Sequence, residues 1–85
     1  LTATVVKRCC LFVLEVSYPM DTLARLVRFF EDRHILIEQF HFYQRATHSA
    51  TLHIYCHIEK DRVIRTVQLL EQMEGVTELE RLEGK

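Results

Sequence analysis

Apolar residues follow strand-like and helix-like patterns in turn along this chain. Residues 8–17 form a short, nearly unbroken apolar run rich in strand-forming residues, which is typical of a central β-strand. Pro19 ends this run because proline has no N–H to donate to a sheet. From Met20 to Arg33 the period becomes that of a helix, whose predicted apolar stripe consists of Leu23, Leu26, Val27 and Phe30.

The rest of the chain predicts four further elements, which are strands over 35–44, 50–58 and 76–82 and a helix over 60–74. In the first of these strands the parity of the apolar positions changes near Glu38 and Gln39, which indicates a β-bulge. The apolar stripe of the second helix consists of Val63, Ile64, Val67, Leu70 and Met73. Gly75 follows this helix and is expected in a left-handed C-terminal cap.

The order strand, helix, strand, strand, helix, strand predicts a single domain over residues 1–85. Right-handed crossovers place both helices of such a chain on one face of a four-stranded sheet. The predicted fold class is therefore α+β, a ferredoxin-like βαββαβ arrangement whose antiparallel sheet has the strand order 4-1-3-2. The last strand carries Glu78, Glu80 and Arg81, as an exposed edge strand does.

This fold leaves the second face of the sheet uncovered. Aliphatic residues of the first strand are expected there beside histidine and tyrosine residues of the third strand. A mixed apolar and aromatic patch is more often an interface than a solvated surface. The predicted interface residues are Leu11, Val13, His53, Tyr55 and His57, together with Phe29, which lies off the main apolar stripe of the first helix.

Composition excludes several classes of protein. Hydrophobic residues make up 48% of the 85 residues, charged residues make up 27%, and the formal net charge is −1. This apolar fraction excludes a disordered chain, and the balanced charge gives no reason to expect nucleic acid. No apolar stretch reaches the roughly 20 residues that cross a bilayer, and nothing at the N-terminus predicts a signal peptide. Leu1 in place of an initial Met predicts a processed or excised chain.

Size and cysteine content add two expectations. A chain this small has a thin stability margin, so a homodimer or higher oligomer is expected. The three cysteines, Cys9, Cys10 and Cys56, form neither an even set nor a CxxC pair. Neighbours on a strand point to opposite faces, so Cys9 and Cys10 are poor candidates for a mutual disulfide. Reduced structural thiols in the cytoplasm are predicted.

The stretch from Leu14 to Ile37, LEVSYPMDTLARLVRFFEDRHILI, resembles the ACT domain, a small regulatory module attached to many enzymes of amino-acid metabolism. The shared features are a strand, a turn containing proline, Leu-x-x-Leu/Val on a helix, and an isoleucine at the start of the next strand. The resemblance covers about residues 8–83. Within the family, residues 19–28 are most similar to the short regulatory subunit of acetolactate synthase. Met20 and His34 stand where many members have glycine.

The resemblance implies a non-catalytic subunit that dimerises and tunes or stabilises a large catalytic enzyme subunit. That enzyme would be acetolactate synthase, which belongs to branched-chain amino-acid synthesis. The resemblance also implies an amino-acid effector bound between subunits, and no cofactor. The effector positions that it implies are Ser17, Tyr18, Met20, Asp21, Thr22 and Leu36. The alternative is a free-standing ACT domain that senses an amino acid without an enzyme partner.

Other chemistry is not predicted. His53 and His57 lie roughly 13 Å apart on one strand, too far to chelate one metal ion. His41 could approach His53 across the sheet, and Cys9 could approach His57, but neither pair belongs to a metal-binding motif. An RNA-recognition module shares the topology, but the third strand lacks its basic and Gly-Phe pattern. No catalytic residues are predicted, because Cys56 and His57 point to opposite faces of their strand.

Overall fold

The structure, a computed structural model, describes residues 7–83, so residues 1–6 and 84–85 of the predicted domain lie outside the described residues. The described elements are β1 (Lys7–Ser17), α1 (Pro19–Asp32), β2 (Leu36–Ala46), β3 (Ser49–Glu59), α2 (Val63–Glu71) and β4 (Val76–Glu83). A 3₁₀ turn, Lys60–Arg62, precedes α2, so the α-helix is shorter at both ends than the predicted span 60–74.

The four strands form one antiparallel sheet in the order β2-β3-β1-β4. This order confirms the predicted βαββαβ topology, with β1 and β3 in the centre and β2 and β4 at the edges. Alternate residues of both central strands, from Cys10 to Val16 and from Ala50 to Ile58, are buried together with residues of α1 and α2. Residues of the opposite parity are half-buried or exposed, except Thr51. Both helices therefore cover the same face.

The predicted bulge in β2 is confirmed. Ile37 pairs with Cys56 and Gln39 pairs with Tyr55, so Glu38 is the additional residue in the ladder. A bulge changes which way the flanking side chains point. The apolar residues Phe40 and Phe42 consequently pack against the core, although they have the opposite parity to Ile35 and Ile37.

The buried stripe of α1 differs from the predicted one. Its buried residues are Pro19, Thr22, Leu26, Phe29 and Phe30. Val27, which was expected inside, is 50% exposed, whereas Phe29, which was expected to contact a partner, is only 7% exposed. Phe29 packs edge-on against Phe30 at a centroid distance of 5.4 Å, and the Arg33 guanidinium lies 4.0 Å above its ring. Phe29 is therefore a core residue, and its assignment to an exposed interface is wrong.

The second helix is rotated in a similar way. Val63, Thr66 and Leu70 are buried, whereas Ile64 is 67% exposed. In each helix the apolar stripe is wider than the strip that the sheet covers. Which edge of the stripe is buried depends on how the helix lies on the sheet, and periodicity alone does not contain that information.

His34 ends α1 in a left-handed conformation, with φ of 54°. Its N–H donates to the carbonyl of Glu31, and the N–H of Ile35 donates to the carbonyl of Phe30, at 3.1 and 3.0 Å. These two bonds form a Schellman motif, in which glycine is the usual residue at the left-handed position. A histidine there is strained because its Cβ crowds the backbone.

His34→Gly is therefore expected to raise the free energy of unfolding by about 0.5–1 kcal/mol, as urea denaturation would measure. The matched control is Ala24→Gly, at an exposed position in the middle of the same helix, where glycine should lower stability by a similar amount. A lower free energy of unfolding in His34→Gly would contradict the inference that the backbone at His34 is strained.

Candidate binding surfaces

The face of the sheet away from the helices, called here the open face, carries the predicted interface residues of β1 and β3. In the β1–β3 register Leu11 is paired with Tyr55 and Val13 with His53. Leu11, Val13 and His53 are half-buried, and Tyr55 is 38% exposed. The structure thus brings these four residues together as the alternation of the strands predicts.

Residues of β2 extend this surface into an aromatic patch, which we define as His41, Tyr43, His53 and Tyr55. The His41 ring lies 5.8 Å from Tyr55, edge to face, and 6.4 Å from Tyr43 in a stacked orientation. The Tyr43 ring lies 5.1 Å from His53. Sequence reasoning did not assign His41 and Tyr43 to the interface. The signal was available, because the bulge at Glu38 turns both residues towards the open face.

A hydrogen-bonded chain crosses three strands beside the aromatic patch. Arg45 Nε donates to Thr51 Oγ1 at 2.9 Å, and the Thr51 hydroxyl donates to Glu15 Oε1 at 2.8 Å. Thr51 is only 3% exposed, so its hydroxyl needs both partners. The open face is therefore apolar and aromatic in the middle and polar at this end.

A second candidate surface lies where the β1–α1 loop meets the β2–β3 hairpin. Tyr18 has a left-handed backbone with φ of 48°, its N–H donates to the carbonyl of His48, and the two rings lie 4.9 Å apart. An open groove of about 390 Å³ is found here, and its lining residues are Tyr18, Pro19, Met20, Asp21, Gln44, Thr47 and His48. Three of the predicted effector positions, Tyr18, Met20 and Asp21, thus line one groove.

The remaining effector positions have other surroundings. Thr22 is fully buried, and its hydroxyl donates to the carbonyl of Ser17 at 2.7 Å. The N–H of Ser17 donates to the carbonyl of Gly75, so Ser17 and Thr22 tie the loop to the start of β4. Leu36 pairs with His57, whereas Ser17 pairs with Ser49. Leu36 therefore lies roughly 26 Å along the sheet from the loop, beyond reach of the same small ligand within one chain.

A group of three metal-ligating side chains lies at the other end of the open face. Cys9 of β1 is paired with His57 of β3, and their Sγ and Nε2 atoms are 3.5 Å apart. The carboxylate of Glu38, the bulge residue of β2, contacts the same Nε2 atom. Cys9 and Glu38 are exposed and His57 is half-buried. The approach of Cys9 to His57 follows the predicted register, but the contribution of Glu38 was not foreseen.

The buried thiol of Cys56 is chemically inert. The pKa of Cys56 is raised to about 12, mainly by burial and to a smaller extent by the neighbouring Cys10 and Cys9. The thiolate is the nucleophile and metal ligand, so a thiol with this pKa provides neither at neutral pH. Cys9, by contrast, is exposed.

Within residues 7–83 no helix has the length and apolar character that a bilayer span requires. Neither models of known protein families nor curated proteins match this sequence.

The solved structures that are similar to the chain include two that match nearly all of it. The first is the solution structure of the C-terminal domain of the MgtC protein from Mycobacterium tuberculosis, with a TM-score of 0.72 and 12% identity; the match covers 98% of this chain and 94% of that one. The second is the uncharacterized protein TM1266 from Thermotoga maritima, with a TM-score of 0.72 and 17% identity, covering 94% of this chain and 100% of that one. At these identities the similarity shows the fold alone, the small ferredoxin-like one.

Proposed function

We propose that this chain is a non-catalytic regulatory subunit of the ACT type, which acts by binding a partner through its open face. The observation that carries the proposal is that neither helix covers this face, where Leu11 and Val13 lie beside the aromatic patch. Tyrosine provides a large, rigid contact area at low cost in conformational entropy and is enriched at energetically important interface positions. A surface of this composition suits association better than solvation.

The chemistry of the thiols supports a role without catalysis. Cys56 is buried, and burial raises its pKa to about 12. Cys9 and Glu38 both approach Nε2 of His57, so the ring does not lie between a nucleophile and an orienting carboxylate on opposite nitrogens. A cysteine nucleophile is normally activated by one ring nitrogen while the other is held by a third group.

The identity of the partner in this proposal rests on the resemblance of residues 14–37 to the ACT family. The partner is the large catalytic subunit of an amino-acid biosynthetic enzyme, and the similarity of residues 19–28 points to acetolactate synthase of branched-chain amino-acid synthesis. Reduced thiols suit a cytoplasmic setting. A subunit without chemistry of its own changes the activity of its partner only by binding the active and inactive forms with different affinities.

The exposed edge of β2 is suited to pairing with the same strand of a second copy of the chain. This edge strand has eleven residues, of which only Glu38 and Arg45 belong to the charged types Asp, Glu, Lys and Arg. The shorter β4 edge carries Glu78, Glu80 and Arg81. Unpaired backbone groups of an edge strand readily pair with another strand, and charged side chains oppose this. Pairing of two β2 strands would give a homodimer with one continuous sheet.

Tyr55→Glu is expected to weaken binding of the acetolactate synthase large subunit at least ~10-fold, because a carboxylate would lose its water in the contact without gaining a partner. Titration calorimetry with the purified large subunit measures this. Unfolding measured in parallel should show that the variant still folds, since Tyr55 lies on the open face and is not part of the buried core.

The matched control is Ile64→Glu, on the outer side of α2, where the side chain is 67% exposed and faces away from the sheet. This variant should bind like the unmodified chain. Equal losses in both variants, or none in Tyr55→Glu, would contradict binding through the open face. A monomer by light scattering at micromolar concentration would contradict the β2 dimer.

The groove beside Tyr18 favours a second candidate function, a free-standing amino-acid sensor. Its volume of about 390 Å³ lies within the range of small-molecule sites, and Tyr18 has a strained left-handed backbone at its wall. Calorimetry of the pure chain with each amino acid separates the two functions. Tight binding that is lost in His48→Ala supports the sensor, whereas no binding together with binding of the large subunit supports the regulatory subunit.

A further inference from the structure

The proposed regulatory function assigns His57 only to the open face and gives no chemistry to the cluster of Cys9, Glu38 and His57. The cluster lies at the opposite end of the sheet from the groove beside Tyr18, and it lies outside the aromatic patch. Among the described residues 7–83, these three side chains bring a thiol, an imidazole and a carboxylate together. Their ligand atoms all lie within 4.8 Å of one another.

The spacing of the cluster matches the coordination sphere of a small divalent cation. Zinc bonds of usual length at a tetrahedral angle place a sulfur and a nitrogen ligand about 3.6 Å apart. The Sγ atom of Cys9 and the Nε2 atom of His57 are 3.5 Å apart. These two ligands therefore need almost no rearrangement to share one ion.

The convergence of both neighbours on one nitrogen also favours a cation. An imidazole Nε2 atom has either one hydrogen to donate or one lone pair to offer, so it serves a single partner well. In the structure the sulfur of Cys9 and the carboxylate of Glu38 both lie against it. An ion placed between the three groups accepts the imidazole lone pair and is bound by the sulfur and the carboxylate as well.

The backbone holds the three residues in place. Cys9 and His57 are direct partners on the two central strands, and the bulge of β2 directs Glu38 towards them. Ligands on paired strands are positioned more rigidly than ligands on loops. Since Cys9 and Glu38 are exposed, an ion can enter from solvent without any movement of the chain.

We propose that Cys9, Glu38 and His57 bind one zinc ion or a similar borderline divalent transition metal, with a fourth position open to water. A thiolate and an imidazole select such metals, whereas calcium and magnesium prefer sites made of oxygen. Sequence reasoning predicted no metal site because the three ligands belong to three strands and form no motif. The site goes beyond the proposed function, and either one can hold without the other.

The first test is a calorimetric titration of the tag-free chain with Zn²⁺. One ion per chain is expected to bind, with affinity reduced at least ~100-fold in Cys9→Ser and in His57→Gln. Glu38→Gln should weaken binding at least ~10-fold. His53→Gln is the matched control, because His53 lies on the same face and strand but outside the cluster, and it should bind zinc like the unmodified chain.

The second test identifies the sulfur ligand directly. Co²⁺ in place of Zn²⁺ should give a sulfur-to-cobalt charge-transfer absorption that is absent in Cys9→Ser. Zn²⁺ should also slow alkylation of Cys9, the exposed thiol, at least ~10-fold while Cys10 and Cys56 stay buried. Alkylating Cys9 in the native chain before titration removes the ligand without a substitution, in case a variant fails to fold.

Three results would contradict the proposed metal site. The first is that Zn²⁺ does not bind one-to-one, and the second is that both Cys9→Ser and alkylation of Cys9 leave the affinity for Zn²⁺ unchanged. The third is that Zn²⁺ binding is lost in His53→Gln instead. Because none of these measurements involves the large enzyme subunit, their failure is distinguishable from failure of the proposed regulatory function.

Discussion

Phe12→Ala is expected to lower the free energy of unfolding by about 3–5 kcal/mol, the largest effect of any substitution considered for this chain. The Phe12 ring is completely buried in the middle of β1, and its centroid lies 6.4 Å from that of Phe30 on α1. Removing the ring deletes its buried area and leaves a cavity between sheet and helix. A domain of this size has about 4–13 kcal/mol in total, so much of its stability would be lost.

Urea denaturation, monitored by circular dichroism, measures this loss of unfolding free energy. The matched control for Phe12→Ala is Val13→Ala. Val13 is the next residue of the same strand, but it is half-buried on the open face. Its truncation should cost less than about 1 kcal/mol. Phe12→Leu, which keeps most of the volume, should lie between the two and keeps the test informative if Phe12→Ala does not fold. Equal losses at positions 12 and 13 would contradict the one-sided core.

Gly75→Ala is expected to lower the free energy of unfolding by about 2–4 kcal/mol, although it adds only one methyl group. Gly75 has φ of 97°, where a residue with a side chain is strained. A Cβ there would also overlap Thr22 Oγ1 and would lie 3.1 Å from the Thr22 Cβ and Cγ2 atoms. Thr22 cannot move away easily, because it is fully buried and its hydroxyl donates to the carbonyl of Ser17.

A double-mutant cycle with Thr22→Ala separates backbone strain from steric overlap. Thr22→Ala alone should cost about 1–2 kcal/mol through its lost hydrogen bond. In the double variant the overlap with the hydroxyl is gone. The loss of unfolding free energy in the double variant should therefore be smaller than the sum of the two single losses by at least ~1 kcal/mol. Strict additivity would show that the conformation of Gly75, and not its contact with Thr22, makes glycine necessary.

Much of this fold could be predicted from the sequence because its signals are local. The parity change near Glu38 marked the bulge, Gly75 marked a left-handed turn, and the alternation of residues 50–58 separated the core face from the open face of β3. The prediction that Gly75 caps the second helix differs from the structure, because α2 ends at Glu71 and a short turn separates the helix from Gly75.

The candidate surfaces were predicted only in part. Leu11, Val13, His53, Tyr55 and His57 were assigned to the open face by parity, and the structure places them there. Phe29 was assigned to the surface but is buried, because α1 is rotated on the sheet relative to the centre of its apolar stripe. Leu36 was grouped with the β1–α1 loop by resemblance, and the β2–β3 register separates it from that loop within one chain.

Periodicity between near neighbours is thus enough to specify the order of the elements, the two faces of each strand and the bulge, since steric and hydrophobic preferences act over a few residues. Packing of distant segments decided which edge of each helix is buried, how the rings of β2 and β3 meet, and that Cys9, Glu38 and His57 share one point. These features depend on register and helix rotation, which many side chains set together and no short stretch of sequence contains.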